Sequence, residues 1–234
     1  MNVTRINPIS EIPIEEDIQS LLDEYASCHA NPVLLEAGCG SSSHFALDAY
    51  RLAGIDISQS QLDRNTRLDE AILGSIQEYN FVDRKFDVIV CWNVLEHVPD
   101  PLKALENLAH ALRDDGLLIV EVPNPLSLKG LVTKFTPHFV HVWFYRYVRN
   151  IKDAGRHDTA PFKTFLRFSL SPIGLRRFAA LNDLKVECLR TYAAAWTSSR
   201  KMRLVNGILV VVAAPIRLLT LMRFNPLRVN DGTV

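Results

Sequence analysis

Four polar interruptions in otherwise apolar runs carry the residues best suited to chemistry. The first, Glu36-Ala37-Gly38-Cys39-Gly40, closes the apolar run Val33–Ala37. A carboxylate followed by Gly-x-Gly lets the main chain turn sharply beneath a ligand with no Cβ in the way. The second, Gly54-Ile55-Asp56-Ile57-Ser58, puts a carboxylate at the end of another apolar run, where it can accept both hydroxyls of a ribose. Each such charge-assisted hydrogen bond contributes on the order of 1.5–3 kcal/mol. The third is Gly74-Ser75-Ile76-Gln77, whose main chain could read an adenine edge, and the fourth is the polar Asn93 just past Phe86–Cys91. The dinucleotide fingerprint Gly-x-Gly-x-x-Gly is not completed, because position 43 is a serine. A Gly-x-Gly alone is weak evidence; its meaning depends on the other three.

These residues must be positioned by an alternation of strands and helices. Val33–Ala37, Leu52–Ile57, Phe86–Cys91 and Leu117–Val122, with a weaker run at Ala71–Leu73, are continuously apolar, as parallel strands covered on both faces should be. Pro13 to Cys28 has helical spacing, with Ile14, Ile18, Leu21, Leu22 and Tyr25 on one side. Asp100 and Pro101 read as the N-cap and first residue of a helix striped by Leu102, Leu105, Leu108, Ala109 and Leu112, with Gly116 ending it. Ser171-Pro172 starts another, burying Leu175, Phe178, Ala179 and Leu181 and leading to a sixth strand over Leu184–Leu189. The pattern predicts an α/β, Rossmann-like, doubly wound and mostly parallel sheet with helices on both faces. A lid-like insertion and an apolar C-terminal helical tail are added to it. The expected divisions are an N-terminal helix over 1–30, the core over 31–122, the insertion over 123–170, the last helix and strand over 171–199, and a basic, apolar tail over 200–234.

Taken in order, Leu35–Gly40, Gly54–Ser58, Phe86–Val90, Asn93-Val94-Leu95-Glu96-His97-Val98 and Gly116-Leu117-Leu118 resemble the class I S-adenosylmethionine-dependent methyltransferases, especially the group containing ubiquinone- and menaquinone-pathway enzymes. The resemblance covers about residues 30–125. It implies S-adenosylmethionine as cofactor, Glu36 near its methionine end, and close main-chain approach at Gly38 and Gly40. It further implies Asp56 on the ribose, Ser75 and Ile76 by the adenine and Asn93 beside the sulfonium, with Cys39, Ile57 and Val94 completing the contacts. The sequence departs from the family at Ser42, where a third glycine is usual, and at Ser75, where an aspartate is common. Gly40 to Asp56 leaves little room for a first crossover helix, so Ser41–Asp48 is expected to be mostly loop. The family's terminal strand hairpin is not evident after Leu189. Either the apolar tail replaces it or a last strand begins near Thr233. Plainer roles stay open: Asp56 capping the next helix, Asn93 bonding its own backbone, and His97 starting a helix or packing.

The acceptor has to be read from the second half. Residues 1–122 carry 8 Lys and Arg against 21 Asp and Glu, and residues 123–234 carry 18 against 5. A basic half suits an anionic partner, although the two halves could simply neutralise each other. His138, His141, Trp143 and Tyr145 are the candidate acceptor-binding residues, the two histidines also as bases for a hydroxyl; core or structural roles compete for all four. No catalytic side chain is assigned, since methyl transfer to a placed acceptor draws largely on proximity and orientation. Leu204–Met222 is apolar but interrupted by Pro215 and Arg217, which favours an interfacial helix over a span of roughly 20 residues. Peripheral membrane contact through 200–228 is expected, and dispersed arginines make nucleic acid a poor fit. Four unpaired cysteine positions (Cys28, Cys39, Cys91, Cys188) and no apolar leader at the N-terminus point to a cytoplasmic protein, at the inner face of the membrane, with no metal site. The expected function is methyl transfer to oxygen of a small-molecule or lipid-linked acceptor. The alternatives are a cofactor-binding protein of the same fold without catalysis, or a nicotinamide-dependent Rossmann enzyme.

Overall fold

The computed structural model describes residues 14–156, 160–192 and 232–233. The five apolar runs become the parallel strands β1 (Val33–Ala37), β2 (Arg51–Asp56), β3 (Glu70–Leu73), β4 (Phe86–Trp92) and β5 (Leu112–Pro123). Two further strands, β6 (Thr191–Tyr192) and β7 (Gly232–Thr233), complete the order β3-β2-β1-β4-β5-β7-β6, with β7 antiparallel to both neighbours. The chain winds outward from β1 to β3, then returns to lay β4 on the other side of β1. That reversal opens a crevice at the carboxyl ends of β1 and β4, where open α/β sheets seat their ligands.

Side chains alternate across the sheet, so neighbouring residues of one strand enter different cores. Leu34, Leu52, Val88, Val90 and Ile119 face α1 (Ile14–Cys28), which contributes Ile14, Ile18, Leu21, Leu22 and Tyr25 as its spacing predicts. Leu35, Ala53, Ile55, Ile89 and Cys91 face the other way, onto α3 (Pro101–Ala111), the 3-10 turn η2 (Phe168–Leu170) and α6 (Pro172–Leu181). The first crossover has no helix, as its length requires. Phe45, Leu47 and Tyr50 are buried under α1 instead, and Gln19 clamps the segment by donating to the Ala46 carbonyl (2.9 Å) and accepting from the Ala46 N–H (2.8 Å). The Tyr50 hydroxyl donates to the Leu22 carbonyl at 2.7 Å. Thus α1 covers the face that a crossover helix would otherwise protect.

Several expectations are corrected. The helix begun by Asp100 and Pro101 stops at Ala111, not Gly116, because Leu112 already pairs with Phe86; the register then shifts before Val88 meets Leu117, through a bulge with Asp115 at φ +61°. Leu102 is exposed and Leu112 lies in β5, so the buried stripe is Pro101, Ala104, Leu105, Leu108 and Ala111. Leu181 is exposed, leaving Phe178 and Ala179 as the buried residues of α6. No strand forms over Leu184–Leu189, where Lys185 and Glu187 pair with each other in solvent; β6 begins at Thr191. A terminal strand at Thr233 is present as β7. The tail expected over Leu204–Met222 lies outside the described residues, and among those described no helix is long and apolar enough to cross a membrane.

Candidate active site

The loop after β1 is held from below by β2. Gly38 and Cys39 both donate their N–H to the Ile55 carbonyl, at 2.8 and 3.2 Å, and both glycines are left-handed, Gly38 at φ +74° and Gly40 at φ +55°. The two glycines serve different ends. A Cβ on Gly38 would lie 2.4 Å from Val94 Cγ2, so this glycine lets the segment after β4 pack onto the loop. A Cβ on Gly40 would meet only Gln61 Oε1 at 4.0 Å. The space above Gly40 is open, as a cradle for a ligand requires. Ser42, in the place of a third glycine, is absent from the left-handed residues, so its side chain costs the loop no strain.

Asp56 closes the cradle. Its Oδ2 accepts the Gly40 N–H at 2.9 Å and its Oδ1 the Ser58 N–H at 2.9 Å. Each carboxylate oxygen has a second lone pair, so both remain able to accept a hydroxyl. Ser58, not Asp56, is the N-cap of the following turn α2 (Gln59–Leu62), accepting from the Gln61 N–H. Ile57, next along the strand edge, is 78% exposed and offers an uncovered aliphatic surface. Ile76, by contrast, is buried and its carbonyl accepts from Asn107. What Ile76 can offer an adenine is therefore main chain, while the half-buried Ser75 hydroxyl accepts the Gln77 N–H at 3.4 Å and keeps its own O–H to donate. Asn65, which carries no motif signal, donates to the Gly40 carbonyl at 3.2 Å and braces the far side of the loop.

Across the crevice, Asn93 sits at φ +55°, a left-handed conformation that asparagine tolerates better than most residues and that is frequent at functional sites. Its N–H donates to the Glu121 carbonyl at 3.1 Å, while its exposed side-chain amide makes no hydrogen bond among the described residues. Glu36 is buried; Ser43 donates its hydroxyl to Oε2 at 2.6 Å and His44 its N–H to Oε1 at 3.3 Å. Burial pushes the Glu36 carboxyl above its ordinary 4.5, the two hydrogen bonds opposing this in part. A raised folded value means that the Glu36 contribution to stability is fullest below pH 4.5 and declines as pH rises through the folded value. Glu36→Gln is therefore expected to lag the wild type more at acid than at neutral pH. Urea unfolding of both proteins across that range checks this; a gap that widens toward neutrality sinks it. Cys39 is a wall, not a nucleophile. Its Sγ fills the space where a Cβ on Gly54 would stand, and burial pushes its thiol up to about 12. Any ligand contact it makes is through the main chain.

Sequence reasoning also missed the aromatic group beside Glu36. His44 stacks on Trp92 (centroids 5.5 Å apart) and Phe45 meets the same indole edge-on at 4.9 Å, so the end of β4 is roofed by the helix-less crossover. The insertion leaves the same sheet edge after Pro123 as α4 (Leu128–Phe135) and α5 (His138–Tyr147). No residue of α5 is fully buried: Trp143 is exposed, which speaks against a core role for it, while Tyr145 is half-buried under Arg149. His141 is tied to the Thr136 hydroxyl at 2.7 Å, and His138 is exposed. His97 lies in the 3-10 turn η1 (Leu95–His97), and its Nδ1–H donates to the Lys163 carbonyl at 2.9 Å while Phe165 N–H donates to the Glu96 carbonyl. Its packing role tethers the return of the insertion. Burial lowers the His97 pKa below 6.5, so its contribution is present above that pH and lost as pH falls through the lower folded value. His97→Ala is expected to cost about 1–2 kcal/mol at neutral pH and to speed amide exchange at Phe165 and Leu166, with the difference shrinking on acidification. Unchanged exchange at both amides would count against the tether.

A glycine cradle, a carboxylate at the end of β2 and a polar residue past β4, set on this strand order with an antiparallel β7, define a class I methyltransferase fold. The chain belongs to the methyltransferase-domain family, whose model matches residues 13–157. An uncharacterized protein of Methanocaldococcus jannaschii is 35% identical over 116 residues, covering 49% of this chain and 51% of that protein. The ubiquinone biosynthesis O-methyltransferase of Coxiella burnetii is 27% identical over 139 residues, covering 55% of this chain and 56% of that protein. The mitochondrial ubiquinone biosynthesis O-methyltransferase of Schizosaccharomyces pombe is 24% identical over 210 residues, covering 84% of this chain and 69% of it. The chain thus spans about half the length of the first two relatives. Among solved structures, an S-adenosylmethionine-dependent methyltransferase from Archaeoglobus fulgidus aligns over 94% of this chain and 92% of that one, at 16% identity and a TM-score of 0.48.

Proposed function

We propose that this protein transfers a methyl group from S-adenosylmethionine to a hydroxyl oxygen of a small-molecule or lipid-linked acceptor. The observation that carries the reading is the open cradle at Gly40 with Asp56 aimed into it, both carboxylate oxygens held by main-chain N–H groups with acceptor capacity left over. S-adenosylmethionine supplies a methyl already activated on a sulfonium. The chain's work is placement: Asp56 holds the ribose, Ile57 and the Ser75–Ile76 turn take the adenine, and Gly38, Gly40 and Asn93 line the approach to the methionine end. Preorganised contacts of this kind remove the entropy of bringing two reactants together. Oxygen as the accepting atom is supported by the O-methyltransferase relatives. A hydroxyl sheds its proton as it is methylated, and of the two lid histidines His138 is the freer to receive it, since His141 is engaged with Thr136. Of the candidate acceptor-wall residues, half-buried Tyr145 is on the side of α5 away from Trp143, which is exposed and would meet an acceptor only at the outer face of the helix. The arginine-flanked apolar run over 200–228 supports peripheral contact with a membrane at the cytoplasmic face.

Calorimetric titration with S-adenosylmethionine and with NADH tests the donor, and release of S-adenosylhomocysteine on adding a lipid extract tests transfer. Binding of NADH in preference to S-adenosylmethionine overturns the reading. Donor binding with no acceptor-dependent product favours a non-catalytic binding protein.

A further inference from the structure

Helix α5 presents Phe139, Trp143 and Tyr147 outward, 71%, 57% and 61% exposed. Steps of four residues put them on one face, and the Trp143 and Tyr147 rings lie 5.9 Å apart. Phe135, at the end of α4 and 72% exposed, precedes the same series by another four. Single exposed apolar residues are ordinary, but an aromatic stripe of this length on a helix with no buried residue is not.

The charge of the same segment says what would cover it. Residues 123–170 hold eight Lys and Arg against two Asp. Lys134, Arg146 and Arg167 donate to the carbonyls of Leu166, Ala154 and Pro99, while Arg149 and Lys163 lie over the rings of Tyr145 and Phe165. None of these five makes an ion pair among the described residues, whereas Arg67, Arg84 and Arg113 in the body of the domain pair with Asp48, Glu70 and Asp87. The insertion therefore combines an aromatic face with positive charge that no carboxylate among the described residues neutralises. Tryptophan and tyrosine settle at the boundary between headgroups and acyl chains, and lysine and arginine are drawn to anionic headgroups.

We propose that the aromatic face of α5 seats on an anionic lipid bilayer, with the cations of the insertion meeting its headgroups. The insertion leaves β5 at the edge that carries Asp56 and Asn93, so a seat on α5 lies on the segment that follows the candidate active site in the chain. As a route for the acceptor, this rests on the methyl-transfer reading above. As a membrane contact it is tested without the methyl donor.

The full chain is sedimented with vesicles of phosphatidylcholine alone and of phosphatidylcholine mixed with phosphatidylglycerol. Binding to the anionic vesicles is expected to be at least about tenfold stronger and to weaken with salt. Subtracting the emission of Trp143→Phe from that of the wild type isolates Trp143, whose emission should be solvent-like in the free protein and blue-shifted with anionic vesicles. Phe139→Ser with Tyr147→Ser, both at exposed positions, should lower vesicle binding by about tenfold with an unchanged far-UV spectrum. Equal binding to both vesicles, binding that survives the double variant, or a Trp143 already shielded in the free protein by its own chain or a second copy would each overturn the proposal. Donor binding without vesicle binding removes this proposal alone, and vesicle binding without donor binding removes only the functional reading.

Discussion

Asp56→Ala is expected to weaken S-adenosylmethionine binding by about a hundredfold. Two hydroxyls accepted by one ionised carboxylate contribute roughly 1.5–3 kcal/mol each, incompletely additive, and about 2.7 kcal/mol is a hundredfold in affinity. The substitution also frees the Gly40 and Ser58 N–H groups that Asp56 now accepts, so the loop loses a brace along with the ligand contact. Asp56→Asn separates the two effects. The one amide oxygen can keep a main-chain N–H and one hydroxyl, but the amide nitrogen then faces the other N–H, of Gly40 or Ser58, so the loss should be intermediate. Calorimetry on the three proteins, with thermal unfolding to confirm that each is folded, gives the ranking. An alanine variant that binds the donor as well as the wild type would remove Asp56 from the site and, with it, the main support for the functional reading.

Much of this site was legible because buried parallel strands are written as continuous apolar runs, and the polar residues that end them fall at one sheet edge. β1 occupies the expected Val33–Ala37, and β2 and β4 differ by one residue at their ends. What stayed hidden depended on neighbours distant in sequence. Gly116 looks like a helix stop, yet it is the pairing of Leu112 with Phe86 that ends α3 early. The run Leu184–Leu189 looks like a strand, but Lys185 and Glu187 lie in solvent and pairing begins only at Thr191. The loss of the first crossover helix could be foreseen from its length, while its compensation by Gln19 and α1 could not. Likewise the motif names Gly38 and Val94 separately, and only the fold reveals that one is glycine because of the other.

That last contact separates the two glycines of the loop by experiment. Gly38→Ala must hold alanine at φ +74° and place its methyl 2.4 Å from Val94 Cγ2, against a β-branched side chain with little rotamer freedom. Left-handed strain of about 1 kcal/mol and overpacking of about 1–3 kcal/mol predict a loss of roughly 3 kcal/mol in stability. Adding Val94→Ala should restore the packing part and leave the backbone strain, so the double variant should regain about 1–2 kcal/mol. Gly40→Ala meets the same kind of backbone strain at φ +55° but no protein atom closer than 4.0 Å. Its stability cost should stay near 1 kcal/mol, yet its methyl enters the space assigned to the donor, and S-adenosylmethionine affinity should fall by at least about tenfold. Denaturant unfolding and calorimetry on the same three variants therefore give opposed patterns, Gly38 acting on stability and Gly40 on binding. A Gly40→Ala protein that binds the donor as the wild type does would mean that the open space above this glycine is not where the ligand sits.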